Sequence, residues 1–157
     1  MIHPILTHPD PVLRQVSTPV GTSDAAARRL LDDMLETMYG AQGRGLAAVQ
    51  IGILKRAVVI DVAWKEGTPQ PLFLLDPEIV RASTEQAVLE ERCLSIPDTP
   101  RNVARPAQVR VRYRDRDGVE RTDDMSGMLA MVVQHEIDHL NGVLILDHVP
   151  PSASTSG

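Results

Sequence analysis

The sequence predicts an α+β fold in which mixed and antiparallel strands surround a central helix, with one further amphipathic helix near the N terminus. Two segments, residues 23–40 and 126–140, repeat apolar residues at the three- and four-residue spacing of a helix. Shorter segments between them have the composition or the alternation of strands. Strands and helices do not alternate as in a doubly wound parallel sheet, so the α+β class is favoured.

The first helix is predicted over residues 23–40. Leu31, Met34 and Met38 recur on one face with acidic residues between them, which is the pattern of a surface helix with one buried side. Thr22 or Ser23 is expected to cap its N terminus, because a side-chain hydroxyl can accept a hydrogen bond from the first turn.

Three strands are predicted after a loop at residues 41–45. Residues 57–62 and 72–76 are rich in Val, Ile and Leu, whereas residues 109–113 alternate apolar residues with arginine. The polar turn at 114–118 ends in Asp-Gly, which indicates a hairpin and antiparallel pairing.

The second helix is predicted over residues 126–140, and Gly142 stands where a left-handed helix cap is expected. The apolar run at 143–147 is expected to add a short strand. Residues 150–157 are rich in Pro and Ser and are expected to form a disordered tail. The rest of the chain, residues 1–149, is predicted to be one catalytic domain.

Composition and charge exclude several classes of protein. The 157 residues carry a formal net charge of −5, which argues against a dedicated nucleic-acid or anionic-membrane binder. Aromatic residues make up only 3% of the chain, too few for a base-stacking platform. Neither a long apolar run nor a signal peptide is recognisable, so we expect a cytoplasmic protein with no membrane or nucleic-acid partner.

The strongest chemical signal is His-Glu-Ile-Asp-His at residues 135–139, inside the second helix. Four residues advance about one helical turn, so His135 and His139 lie on the same face and can share one metal ion. Glu136 is then held close to the metal without being a ligand, which is where a general base is needed.

A catalytic metal usually has three protein ligands, and the third is not evident from the helix. A metzincin protease would have histidine where Ile145 stands, and a gluzincin would have a glutamate downstream, yet none follows Glu136. The third ligand is therefore expected upstream, or at Asp147 or His148. Cys93 is the single cysteine, and a thiolate with two histidines is an accepted ligand set for zinc or iron(II).

Three short motifs resemble those of the peptide deformylase family, which have the forms G-Φ-G-Φ-A-A-x-Q, E-G-C-L-S and H-E-x-D-H. They occur here in that order at residues 43–50, 91–95 and 134–142. The resemblance extends from about residue 8 to about residue 147. It implies a metal-dependent enzyme that removes the N-formyl group from the starting methionine of nascent bacterial polypeptides and releases formate.

The resemblance also implies a role for each motif residue. The metal ligands would be Cys93, His135 and His139. Glu136 would be the general base, and Gln50 with the backbone N–H of Leu94 would stabilise the oxyanion. The family implies one divalent ion, natively iron(II), which zinc, nickel or cobalt can replace. Glu91 and Asp138 are expected to orient a ligand histidine or to pair with an arginine such as Arg105.

The same family binds its peptide as an added strand, with main-chain hydrogen bonds and a pocket for the methionine side chain. Gly43 and Gly45 would then allow close approach of the substrate backbone. For each glycine alone, a turn or a tight packing contact is an equally good interpretation.

Two arginines depart from the family pattern. Arg92 replaces the glycine of E-G-C-L-S, and Arg44 replaces the apolar residue between the two glycines of the first motif. A positive φ at Arg92 would strain the backbone. We also expect both guanidinium groups at the substrate groove, where they would narrow it or favour a carboxylate-bearing substrate.

A formylated nascent peptide is the partner that the resemblance implies, and a monomer is expected. Many bacterial deformylases dock on the ribosome through a C-terminal helix, and residues 148–157 do not have the sequence of one. Three alternatives to a working deformylase stay open at this point. They are a divergent homologue with weak or altered amidohydrolase activity, a small zinc protease, and a non-enzymatic metal- or peptide-binding module.

Overall fold

The computed structural model describes residues 1–149 and confirms the α+β class. The helices are α1 (Ala25–Gly40) and α2 (Gly127–Leu140). The strands are β1 (Gly45–Ala47), β2 (Ala57–Ile60), β3 (Leu72–Ala82), β4 (Gln86–Cys93), β5 (Ile96–Pro106), β6 (Gln108–Arg114) and β7 (Glu120–Ser126).

The strands form two separate sheets. Five of them form one sheet in the order β1-β2-β3-β6-β7, and β4 pairs with β5 in a hairpin. Every pair of these strands is antiparallel, including the predicted β6–β7 hairpin. Among the described residues, parallel pairing is limited to an isolated bridge between Thr18 and Lys55.

The two helices lie on opposite faces of the five-stranded sheet, as the burial of β2 shows. Ala57 and Val59 pack in the cluster that contains the buried face of α1. Val58 and Ile60 pack with the apolar residues of α2. Because successive side chains of a strand point to opposite faces, β2 is buried on both, which explains its continuous apolar sequence.

Helix α1 begins one or two residues later than predicted. Its N-cap is Asp24, whose carboxylate accepts a hydrogen bond from the Ala27 N–H at 2.8 Å, instead of Thr22 or Ser23. The Ser23 hydroxyl donates to the carbonyl of Arg116 and is therefore engaged elsewhere.

Helix α2 is the central helix of the fold, with β1 and β2 on one side and β5 on another. Three of its apolar residues, Ala130, Val133 and Leu140, are fully buried. The helix ends as predicted, because Gly142 has a φ of +75°. Because the helix is packed on two sides, several of its polar residues are buried as well. These residues form part of the candidate site.

Two strands in the middle of the chain were missed, and the strand predicted near its end is wrong. Strands β4 and β5 were not predicted, since their many charged residues mask the alternation. Residues 143–147 do not form a strand: Ile145–Asp147 is a 3-10 turn, in which the Asp147 carboxylate accepts from the Leu144 N–H at 2.9 Å. The predicted tail at 150–157 lies outside the described residues.

Within residues 1–149, no helix has both the length and the apolar sequence that crossing a membrane requires.

Gly142→Ala is expected to destabilise the protein more than Gly21→Ala. Both glycines have positive φ, at +75° and +84°, so alanine costs about 1–2 kcal/mol of backbone energy at either position. A Cβ at residue 142 would also lie 2.4 Å from the carbonyl oxygen of Arg14, whereas a Cβ at residue 21 would meet nothing within 4 Å. Urea unfolding of both variants measures the difference. Equal losses of unfolding free energy would contradict the close approach of residue 142 to the Arg14 carbonyl.

Candidate metal centre

Three potential metal ligands converge where the end of β4 meets α2. Cys93 is the last residue of β4, and His135 and His139 are one turn apart on α2. The Cys93 Sγ lies 3.2 Å from the His139 Nε2, which is itself 3.2 Å from the His135 Nε2. All three side chains are buried, and their ligand atoms lie within 4.8 Å of one another.

The chemistry of these atoms fits a divalent metal ion. The Nδ1 of His135 lies 2.9 Å from a carboxylate oxygen of Glu91. Because the carboxylate can only accept, Nδ1 carries the proton and Nε2 presents its lone pair toward Cys93 and His139. Two imidazole nitrogens and one sulfur form a set that binds zinc or iron(II) and leaves a coordination position for water or substrate.

The charges around the cluster also favour a cation. Burial opposes a charged imidazole, but Glu136, Cys93 and Glu91 together raise the pKa of His135 to about 10. At His139, burial and the neighbouring His135 hold the pKa well below its usual value. The surroundings of the cluster therefore stabilise one positive charge but not two protonated histidines.

A buried ion pair holds the imidazole of His135 in place. Arg105, on β5, donates to both carboxylate oxygens of Glu91 at 2.7 and 2.9 Å, and each of these two side chains is only 4% exposed. Arg105 also donates to Asp138 on α2 at 2.8 Å. Burial alone would raise the pKa of Glu91, but hydrogen bonds from His135 and Arg105 hold it below its usual value. The contacts expected for Glu91 and Asp138 are both present.

Glu136 lies beside the ligands in a tightly enclosed position. Its side chain is buried, and its Oε1 has no hydrogen-bond partner among the described residues. Burial raises the pKa of Glu136 to about 7. Only glycine fits opposite this carboxylate, because a Cβ on Gly45 would lie 2.6 Å from the Glu136 Oε2 and 2.8 Å from the Val132 Cγ1.

Gln50 projects toward the cluster from a short 3-10 turn after β1. Its Oε1 accepts from the Ala47 N–H at 2.9 Å, which leaves its amide nitrogen facing the site. That nitrogen donates to the Ser95 hydroxyl at 3.0 Å and lies 3.8 Å from the Cys93 Sγ. Leu94, which lies between Cys93 and Ser95 in the sequence, lines the cleft into which the cluster opens.

The cluster opens into a cleft of about 480 Å³. Its walls include both glycines of the first motif and apolar residues of α2, namely Gly43, Gly45, Met128, Met131 and Val132. Strand β1 forms one edge of the five-stranded sheet, and among the described strands it pairs with β2 alone, so its other edge is available to a further strand.

Comparison with known proteins identifies the family. The polypeptide deformylase family profile matches residues 2–155. The peptide deformylase of Rhizobium meliloti (strain 1021) is 57% identical over 148 residues, which cover 94% of this chain and 85% of that protein. The crystal structure of peptide deformylase from Thermotoga maritima is 39% identical, with a TM-score of 0.90, and the match covers 96% of this chain and 99% of that one. The chain belongs to the peptide deformylase family.

Family membership gives the activity in outline. The protein is a hydrolase with deformylase function, and its family is metal-dependent and acts on formylated nascent peptides. A second relative, the peptide deformylase of Mesorhizobium japonicum, is 53% identical over 94% of this chain and 84% of its own length. These identities favour a deformylase over the small zinc protease that also has the H-E-x-x-H pattern.

The alternative third ligands lie away from the cluster. Asp147 pairs with Arg14, and the His148 Nε2 lies 3.0 Å from an Asp138 carboxylate oxygen. Within residues 1–149, neither belongs to the group of ligand atoms around Cys93.

The two arginines that depart from the family pattern both line the cleft. Among the described non-glycine residues, positive φ occurs at Gln42, Asp76 and Asp98, so the strain considered for Arg92 is absent. The Arg92 side chain is exposed and pairs with Glu90 at 3.2 Å. Arg44 pairs with Glu66 at 3.3 Å.

Sequence reasoning missed a group of residues that fixes the first motif. The indole nitrogen of Trp64 donates to the carbonyl of Gly43 at 2.9 Å, and its ring packs edge-on against Tyr39. Asp61 is fully buried and accepts from the Tyr39 hydroxyl and from the Trp64 N–H. A lone tryptophan just after an apolar strand was the available signal.

Arg105→Leu is expected to lower the free energy of unfolding by about 3–5 kcal/mol, because it leaves the Glu91 carboxylate buried without its cation. Arg110→Leu is the matched control, since it breaks an exposed pair with Asp124 and should change stability little. Chemical denaturation of the two variants measures the effect. Equally small losses of unfolding free energy in both variants would show that the buried Glu91 carboxylate is not stabilised by Arg105.

Proposed function

We propose that this protein removes the formyl group from formyl-methionyl peptides by metal-assisted hydrolysis, with Cys93, His135 and His139 as the metal ligands. The observation that carries the proposal is the convergence of these three side chains beside the buried Glu136. When bound, a divalent ion would polarise the formyl carbonyl and lower the pKa of a water molecule.

Glu136 is the proposed general base. Its carboxylate is buried next to the ligands, and its pKa of about 7 lies close to the pH at which it would have to take and return a proton. It would accept the proton of the attacking water and then donate it to the leaving amine. The C–N bond of the formyl amide breaks, and the products are formate and a peptide with a free α-amine.

Gln50 and Leu94 are the proposed oxyanion donors. The amide nitrogen of Gln50 faces the cluster because its oxygen is held by the Ala47 N–H. A side-chain amide and a backbone N–H stabilise a developing negative charge without adding a positive one. The Ser95 hydroxyl would fix the orientation of Gln50 until the substrate arrives.

The cleft supplies the remaining requirements for a peptide substrate. Gly43 and Gly45 would let the peptide approach β1, whose free edge offers backbone hydrogen bonds. The apolar wall formed by α2 would accommodate the methionine side chain. Recognition through backbone groups tolerates many sequences after the methionine.

We assign iron(II) as the native ion, with zinc, nickel or cobalt able to occupy the same site. Zinc binds nitrogen and sulfur ligands more tightly than iron(II), so a purified sample can contain a different ion from the cell. We also propose that the enzyme acts in the cytoplasm as a monomer.

Formate release from a formyl-methionyl peptide by anaerobically purified, iron(II)-loaded protein tests the proposal. Glu136→Gln should lower kcat by about 10²–10⁴, the usual contribution of a general base, while the metal content stays the same. Cys93→Ser should lose the bound metal together with the activity.

Two results would contradict the proposed roles. Unchanged turnover in Glu136→Gln would exclude it as the base, and full metal content in Cys93→Ser would exclude the thiolate as a ligand.

A further inference from the structure

Arg44 stands at the cleft with part of its hydrogen-bonding capacity unused. Its Nε is buried, and no described residue accepts a hydrogen bond from it. Its terminal NH2 group reaches Glu66 through one contact of 3.3 Å. A buried guanidinium N–H without an acceptor is unfavourable, so the arrangement suits an acceptor that arrives with the substrate.

Other arginines of this chain are paired more fully. Arg105 and Arg116 each bind a carboxylate through two nitrogens, at 2.7 and 2.9 Å and at 3.0 and 2.8 Å. Such two-point contacts are the strong form of the arginine–carboxylate interaction. Arg44 has only the long single contact with Glu66, whose exposed side chain is free to turn away.

A second cation adjoins in sequence the carboxylate that pairs with Arg44. Lys65 lines the same cleft, and its Nζ lies 5.6 Å from the centroid of the Trp64 ring. Arg92 differs in burial, because its side chain is 75% exposed and that of Arg44 is 32% exposed. The positive charge of Arg92 is therefore more strongly screened by water.

We propose that Arg44, supported by Lys65, is a specificity-determining residue that binds a carboxylate of the formylated peptide beyond its methionine. The substrate carboxylate replaces Glu66 at a terminal nitrogen of Arg44, and a rotation of the guanidinium brings its buried Nε to the same carboxylate. Arg92 contributes less. This inference rests on the proposed function, which places the formyl group beside Glu136.

The test compares amidated formyl-Met peptides that carry Glu or the isosteric Gln at the second or the third position. The measured quantity is the ratio of kcat/KM for the Glu peptide to that for the Gln peptide within each variant, so any general loss of activity cancels. We expect a ratio of about ten in the native protein at low salt, equivalent to about 1.4 kcal/mol, at one position at least. The ratio should shrink as salt screens the charges.

The variants distinguish the effect of Arg44 from that of the other charged residues. Arg44→Leu should bring the ratio close to one, and Glu66→Gln should raise it by freeing the guanidinium. Arg92→Gly should change it less than Arg44→Leu does. Arg110→Leu removes an equal charge on β6, far along the sheet from β1, and should leave the ratio as in the native protein.

A carboxylate can also come from the C terminus of a short peptide, so the Gln peptide is measured both as the free acid and as the amide. A faster free acid would assign the subsite to a terminal carboxylate, and a faster Glu amide to a side chain.

Equal kcat/KM for all the peptides in the native protein would overturn the inference, whether or not the variants fold. An unchanged ratio in Arg44→Leu would do the same. Absence of turnover with every peptide would overturn the proposed function as well, whereas equal turnover of all of them would overturn only the carboxylate subsite.

Discussion

The geometry of the candidate metal centre depends on the buried ion pair between Glu91 and Arg105. Both residues belong to the β4–β5 hairpin, yet Glu91 accepts from His135 on α2 and Arg105 donates to Asp138 on the same helix. The pair therefore joins two elements that are distant in sequence. A buried carboxylate is tolerated only with such compensation, and here the same contacts orient a ligand imidazole.

A second constraint acts on the opposite side of α2. The β1 edge can approach Glu136 only because residue 45 has no side chain. The indole N–H of Trp64 donates to the carbonyl of the nearby Gly43, and the Asp61 carboxylate accepts from the backbone N–H of Trp64. The cleft is thus fixed on one wall by an ion pair and on the other by a hydrogen-bonded aromatic pair, and the glycines between them leave space for a peptide backbone.

The sequence was most informative where a pattern is local. The spacing of His135 and His139, the periods of the two helices and the β6–β7 hairpin each depend on a few neighbouring residues, and all are found in the structure. Pairing of β4 with β5 could not be read in this way, because charged residues occupy both faces of the hairpin. The fold is also needed to select the partner of Glu91 and Asp138, since Arg105 is one of several arginines that could pair with them until the structure places it beside both carboxylates.

X-ray absorption spectroscopy of the zinc-loaded protein tests the central claim most directly, because it counts the atoms around the ion without relying on activity. The account predicts one sulfur at about 2.3 Å and two imidazole nitrogens at about 2.0–2.1 Å, with a further light atom completing the shell. Cys93→Ser should bind little zinc, and any zinc that it retains should have no sulfur neighbour. A native spectrum with only nitrogen and oxygen neighbours would contradict the assignment of Cys93, His135 and His139 as the metal ligands.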